Sequence, residues 1–142
     1  ASEELKEAKN YYESGNKEKK RKKEIKFYGE TVKKEEISKI RAKLRYFMTN
    51  RVGILREKER LEKVLAFVDE NLENQSLYNN ASIEVNELLN MFFVARLILI
   101  PALLREESRG THQRCDFPDT DDKNWKKHII QKDEEIYFEP VT

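Results

Sequence analysis

The run from Leu88 to Leu104, LLNMFFVARLILIPALL, is broken only by Asn90, Arg96 and Pro101, and no other part of the chain is as apolar. A helix with so wide an apolar circumference has to be covered on several sides by other helices, so this stretch sets the centre of any fold the chain adopts. Ser82 can open the helix, because its hydroxyl can accept an N–H of the first turn. Pro101 lacks an N–H and is expected to kink the helix rather than end it, since helix formers continue to Glu107. The run is shorter than a bilayer requires, and Asn90 and Arg96 lie within it. It therefore reads as a core helix and not a membrane span.

The flanking segments supply the cover. Thr31 to Asn50 carries Ile37, Ile40, Leu44, Phe47 and Met48 at helical spacing, and Gly53 breaks the pattern. Ile54 to Asn71 carries Leu61, Val64, Leu65 and Val68 on one face, with Leu72 at its end. Gln75 to Ala81 is polar and predicts a loop. Two amphipathic stripes and one apolar helix, joined by short connections, predict an all-α fold: an antiparallel three-helix bundle, spectrin-repeat-like, over residues 31–107. Residues 1–30 predict a helical arm, Ser2 to Ser14, with Leu5, Ala8 and Tyr12 on one face, followed by a basic linker. Residues 108–142 predict an irregular tail around a short helix at Trp125, with an aspartate of the 116–122 stretch as its cap. The last residues, Ile129 to Val141, alternate loosely around Ile136 and Phe138, as a short strand or hairpin would.

Charged residues make up 39% of the 142 positions, yet the net charge is only +1, so the overall balance does not argue for a nucleic-acid or membrane partner. The basic run beginning at Lys17 lacks interleaved aromatics. It reads as a solvated linker or helix face rather than a phosphate-binding patch. The single cysteine, Cys115, rules out an internal disulfide and points to a reducing, cytoplasmic setting. Ala1 in place of methionine leads us to expect a processed chain or a domain cut from a longer one. A homo-oligomer is compatible with these features.

His112, Cys115, Asp116 and His128 offer one close pair of metal-ligand types where a structural zinc site shows two, so no metal is expected. Nothing pairs Cys115 with an activating imidazole. The glycines at 15, 29, 53 and 110 form neither GxGxxG nor a Walker loop, so the chain has no recognisable flavin, nicotinamide or ATP site of its own. Arg109, His112 and Arg114 follow the end of the apolar helix. Cations there are favoured by the helix dipole. Equally, they suit docking onto another domain or an anionic ligand, arginine being able to grip a carboxylate with two bonds.

From Glu107 to His128, ESRGTHQRCDFPDTDDKNWKKH resembles the C-terminal signature of the flavoproteins that include L-aspartate oxidase and the flavoprotein subunits of succinate dehydrogenase and fumarate reductase. The pattern is S-R-G-x-H-x-R-x-D-[FY]-P followed by D-[DE]-x-x-W-x-[KR]-H. Ser108, Arg109, Gly110, His112, Arg114, Asp116, Phe117, Pro118, Asp122, Trp125, Lys127 and His128 match it. VGILREKERLEKVL, from Val52 to Leu65, is similar to the family's VG-x-x-R helix, and the resemblance covers roughly residues 35–142. VARLILIPALLREESRG and the direct step from Arg114 to Trp125 are most similar to the L-aspartate oxidase branch. Thr120 departs from the pattern, standing where a basic residue is common, and is expected to weaken one surface contact.

The resemblance implies a parent that holds FAD in a separate Rossmann-like domain of the same polypeptide and passes hydride to it from a four-carbon dicarboxylate or amino dicarboxylate. In the L-aspartate oxidase branch that reaction makes iminoaspartate for quinolinate and NAD synthesis. It implies that this segment is a helical domain packed alongside, holding no cofactor and none of the family's catalytic positions. Ser108, Arg109, Gly110, His112, Arg114, Asp116, Trp125 and His128 are then expected at the contact with the flavin-binding domain. Two other readings stand beside this one: the same domain of a succinate dehydrogenase or fumarate reductase subunit, and a free-standing helical interaction module.

Overall fold

A computed structural model describes residues 32–79, 82–132 and 135–141. The arm expected at Ser2–Ser14 and most of the basic run lie outside the described residues. The elements are α1 (Lys34–Asn50), β1 (Leu55–Arg56), α2 (Lys58–Glu73), α3 (Gln75–Tyr78), α4 (Ile83–Leu104), β2 (Gln113–Arg114), α5 (Asp122–Trp125), β3 (Lys127–Lys132) and β4 (Glu135–Pro140).

The long helix is the centre. Ser82 caps α4, its hydroxyl accepting from the Val85 N–H at 3.2 Å. Val85, Leu88, Phe92, Leu99 and Ile100 along its length are fully buried. They meet Leu61, Val64 and Val68 of α2, Ile37 and Leu44 of α1, and Leu77 of α3 in one core. Three rings tie the long helices together: Phe47 of α1 meets Phe67 of α2 edge-on at 5.2 Å, and Phe67 meets Phe92 of α4 at 5.8 Å. Arg41 of α1 donates to the Glu84 carbonyl and the Glu87 carboxylate, pinning α1 to the first turns of α4. Arg96, the one charge in the apolar run, turns to Asp69 of α2 at 2.9 Å.

The molecule is mostly helical, and the sequence expectation needs four corrections. It is not all-α. β1 pairs with β2 in parallel, Leu55 opposite Gln113 and Arg56 opposite Arg114. The tail is not irregular: β3 and β4 form an antiparallel hairpin in register from Lys127–Pro140 to Lys132–Glu135. Ile136 of the hairpin enters the core, which is why the alternation around it is real but short. Part of the expected loop is the single turn α3, with Asn74 as its cap. Finally, α4 is 22 residues long and contains a window of mean hydropathy 1.9, enough to cross a bilayer, so the length argument against a membrane span does not hold. What distinguishes α4 is that half of that window is buried against the rest of the chain.

Pro101 sits inside α4, as expected, but the helix stops at Leu104 and not at Glu107. The proline leaves the Leu97 carbonyl without its intrahelical donor. Gln131 of β3 supplies one, its side-chain amide donating to Leu97 O at 2.7 Å. The carbonyl freed by the proline thus gives the hairpin an anchor on the helix, beside the burial of Ile136.

Candidate functional site

The residues after α4 fold back on its C-terminus. The last carbonyls of a helix have no intrahelical partner. Here Arg114 supplies the donors: its Nη1 reaches the carbonyl oxygens of Ala102, Leu103 and Arg105 at 2.9, 3.1 and 2.8 Å. Its other edge grips Asp116 with two bonds of 2.7 Å, and its face lies 4.9 Å from the Phe117 ring centroid. The side chain is fully buried. A buried guanidinium is tolerable only when its charge is paired and its donors are used, and this one meets both conditions. Hydrogen bonds from Arg114 hold the Asp116 carboxyl below the usual carboxylate range.

Ser108 anchors the same loop. Its hydroxyl accepts from the Arg114 N–H and donates to the Phe117 carbonyl, both at 2.8 Å. Its backbone N–H donates to Asp119 O, and its carbonyl accepts from the Thr120 hydroxyl at 2.6 Å. The threonine that departs from the family pattern therefore ties the loop to itself. Arg109 and His112 exchange two backbone bonds across a turn in which Gly110 takes φ +59°, a conformation natural to glycine.

Glu107 is the acidic hub. Its fully buried carboxylate accepts from Arg105 at 2.5 Å, from Arg109 at 2.8 and 3.0 Å, and from the Asp121 N–H at 2.9 Å. Burial alone would raise its pKa, but these donors together bring it down to about 2. Arg109 continues to Asp122 at 2.5 Å. Arg105 continues to the carbonyls of Trp125 and Lys127, and its guanidinium lies 5.6 Å from the Trp125 ring centroid. Asp121 caps α5 by accepting from the Asn124 N–H, which sets buried Trp125 against Phe138 of the hairpin.

His112 closes the site from the other side. Its Nδ1 accepts from Arg56 Nη1 at 2.5 Å and its Nε2 faces the Arg105 carbonyl at 3.4 Å, so the imidazole is neutral with the proton on Nε2. Burial first, and the Arg56 charge second, push its pKa down to about 4. Arg56 is itself held by the Val52 and Gly53 carbonyls. Gly53 is required there, since an added Cβ would lie 2.7 Å from the Thr49 carbonyl oxygen. The VG-x-x-R and S-R-G-x-H phrases are thus two halves of one assembly, joined by the β1–β2 pairing.

Of the residues singled out from the sequence, the structure brings Ser108, Arg109, Gly110, His112, Arg114 and Asp116 together, with Trp125 behind them. His128 lies apart, exposed on β3 opposite Glu139. Ser108, Arg114 and Trp125 face inward; Gly110, Asp116 and His128 are at the surface, with Arg109 partly so. Sequence reasoning missed Arg56, Arg105 and Glu107. Arg56 stood inside the VG-x-x-R phrase, whereas Glu107 looked like one more helix-forming acid. Chemically, the arrangement spends its charges on one another: carboxylates on arginines, a guanidinium on carbonyls, both imidazole nitrogens on neighbours. That is the chemistry of a fastening. Among the described residues no group of three His, Cys, Asp or Glu side chains is placed to hold a metal.

Comparison with known proteins matches residues 41–142 to a family described as the fumarate reductase flavoprotein C-terminus. The chain is 40% identical over 104 residues to an uncharacterized FAD-dependent oxidoreductase of Methanocaldococcus jannaschii, covering 69% of this chain and 19% of that protein. It is 34% identical over 113 residues to the succinate dehydrogenase flavoprotein subunit of Coxiella burnetii, covering 72% and 19%. It is 37% identical over 106 residues to the fumarate reductase flavoprotein subunit of Helicobacter pylori, covering 68% and 15%. The chain thus spans less than a fifth of the length of these three relatives.

Proposed function

Because this chain belongs to the fumarate reductase flavoprotein C-terminal family over residues 41–142, we propose that it is the helical C-terminal unit of an FAD-dependent oxidoreductase acting on a four-carbon dicarboxylate. Its role is to pack beside the flavin-binding domain of the same polypeptide, which carries the cofactor and the chemistry. The observation that carries this reading is the site itself. Arg114, Glu107 and His112 spend their hydrogen-bonding groups inside the fold, as fastening requires and as catalysis, which needs groups free to meet substrate, does not. The exposed members of the loop, Gly110 and Asp116, the partly exposed Arg109, and His128 on the hairpin are the part of this segment available to a neighbouring domain.

Succinate or fumarate is the substrate pair named by two of the relatives and is the one we favour. L-aspartate is the second reading, supported by the phrase VARLILIPALLREESRG and by the direct step from Arg114 to Trp125. The test is to express the whole coding sequence, load it with FAD, and assay succinate oxidation, fumarate reduction and aspartate-dependent peroxide formation. Turnover of succinate or fumarate by the whole protein, with none by the 142-residue chain, is expected. Aspartate turnover would select the second reading, and turnover by the isolated chain would overturn both.

A further inference from the structure

The fastening after α4 spends its charges on itself, but the opposite end of that helix does not. α1 and the first turn of α4 leave a groove of about 540 Å³ between them. Lys34, Ser38, Arg41, Ala42 and Arg45 line it from α1, and Glu84 lines it from α4. Their spacing along α1, i, i+4, i+7, i+8 and i+11, puts the five on one helix face over roughly 16 Å. Ser38 and Ala42 are small and leave room between the three cations.

The donors of those cations are largely unspent. Arg45 is exposed and makes no hydrogen bond or ion pair among the described residues. Arg41 commits its Nη2 to the Glu84 carbonyl and the Glu87 carboxylate. Its Nε is buried without a partner, and its Nη1 makes no hydrogen bond among the described residues. Lys34 reaches Glu84 only at 3.8 Å, with both side chains well exposed. Glu84 is already favoured where it stands, by the positive end of the α4 dipole. The surrounding sequence deepens the imbalance. Residues 17–51 hold 14 of the 28 Lys and Arg but only 5 of the 27 Asp and Glu, in a chain whose net charge is +1. Such an asymmetry concentrates anions at this end of the molecule.

We propose that this groove binds a small phosphate-bearing anion, gripped by Arg45 and the open Nη1 of Arg41, with Lys34 and the Ser38 hydroxyl completing the shell. The volume suits a small molecule. A phosphate has enough charge and enough oxygens to serve two guanidiniums, an ammonium and a hydroxyl, which one carboxylate does not. Glu84 and Glu87, standing beside the cations, work against a long polyanion that would have to lie along them.

The probe is pyrophosphate, titrated into the 142-residue chain at constant ionic strength and followed through the backbone amide signals by NMR. We expect the signals of Ser38, Ala42 and Arg45 to move together and to saturate at one pyrophosphate per chain. Arg45→Gln, at a side chain the fold leaves unpaired, should keep the melting temperature and weaken binding about tenfold. Lys39→Gln removes the same charge from an exposed position of α1 outside the groove, and should weaken binding less than about twofold. Shifts that do not saturate, or that spread evenly over the cationic residues, overturn the proposal. So does equal weakening by the two substitutions. A single-stranded oligonucleotide that binds more tightly than pyrophosphate, with a steep salt dependence and equal sensitivity to both substitutions, also overturns it and assigns the surface to nucleic acid.

Discussion

At the scale of single residues, the consequence of Arg114 is that length and charge alone do not replace it. Five donors in a fixed plane serve two helix carbonyls, the carbonyl of the Arg105 cap and one carboxylate. Arg114→Ala strands that carboxylate and leaves the carbonyls dry, and is expected to cost about 3 kcal/mol in urea denaturation. Arg114→Lys keeps the charge but not the fork, and should recover less than half of the loss. The pH dependence follows from two depressed pKa values. His112 titrates near 4 when folded against 6.5 when unfolded, so its contribution is complete above pH 6.5 and is lost as pH falls to about 4. Glu107 titrates near 2 against 4.5, so its contribution is complete above pH 4.5 and is lost as pH falls toward 2. Stability should therefore decline in two overlapping steps on acidification. His112→Gln should flatten the upper step and leave the lower one, as melting temperatures across pH 3 to 7 would read. None of this is visible in the residue string. Arg109, His112 and Arg114 announce a cationic cluster, but whether cations face a partner or their own helix end depends on where the chain turns at Gly110.

At the scale of elements, Pro101 and Gln131 form a testable pair. Gln131→Leu should cost about 1 kcal/mol, because it leaves the Leu97 carbonyl without a donor. In a Pro101→Ala background the helix supplies its own N–H, and the same substitution should cost less. A double-mutant cycle by chemical denaturation gives the coupling directly, and equal costs in both backgrounds would remove the account. The helices were readable in advance because their signals are periodic: Ile37 and Leu44, Leu61 to Val68, and the Ser82 cap all lie as their spacing indicates. The strands were not. β1 and β2 are two residues each, too short to show alternation, and they are paired by the Gln113 and Cys115 N–H groups, which donate to the Ile54 and Arg56 carbonyls. The hairpin was half-readable, since Ile136 is buried while the rest of β4 faces outward or partly so.

For the whole molecule, the β1–β2 pairing fixes an order of events. Arg56 and His112 are 56 residues apart in sequence, and the chain between them contains all of α2, α3 and α4. Joining the two ends closes a long loop, and that entropy is offset only once the intervening helices have packed. The join between Arg56 and His112 is therefore expected to form late in folding, after the barrier that the hydrophobic helices cross together. Arg56→Ala should accelerate unfolding and leave the refolding rate nearly unchanged in stopped-flow measurements, whereas Phe92→Ala should slow refolding. The motif that identifies the family would then act as a latch on lifetime: it contributes little to how fast the native state is reached and much to how long it persists.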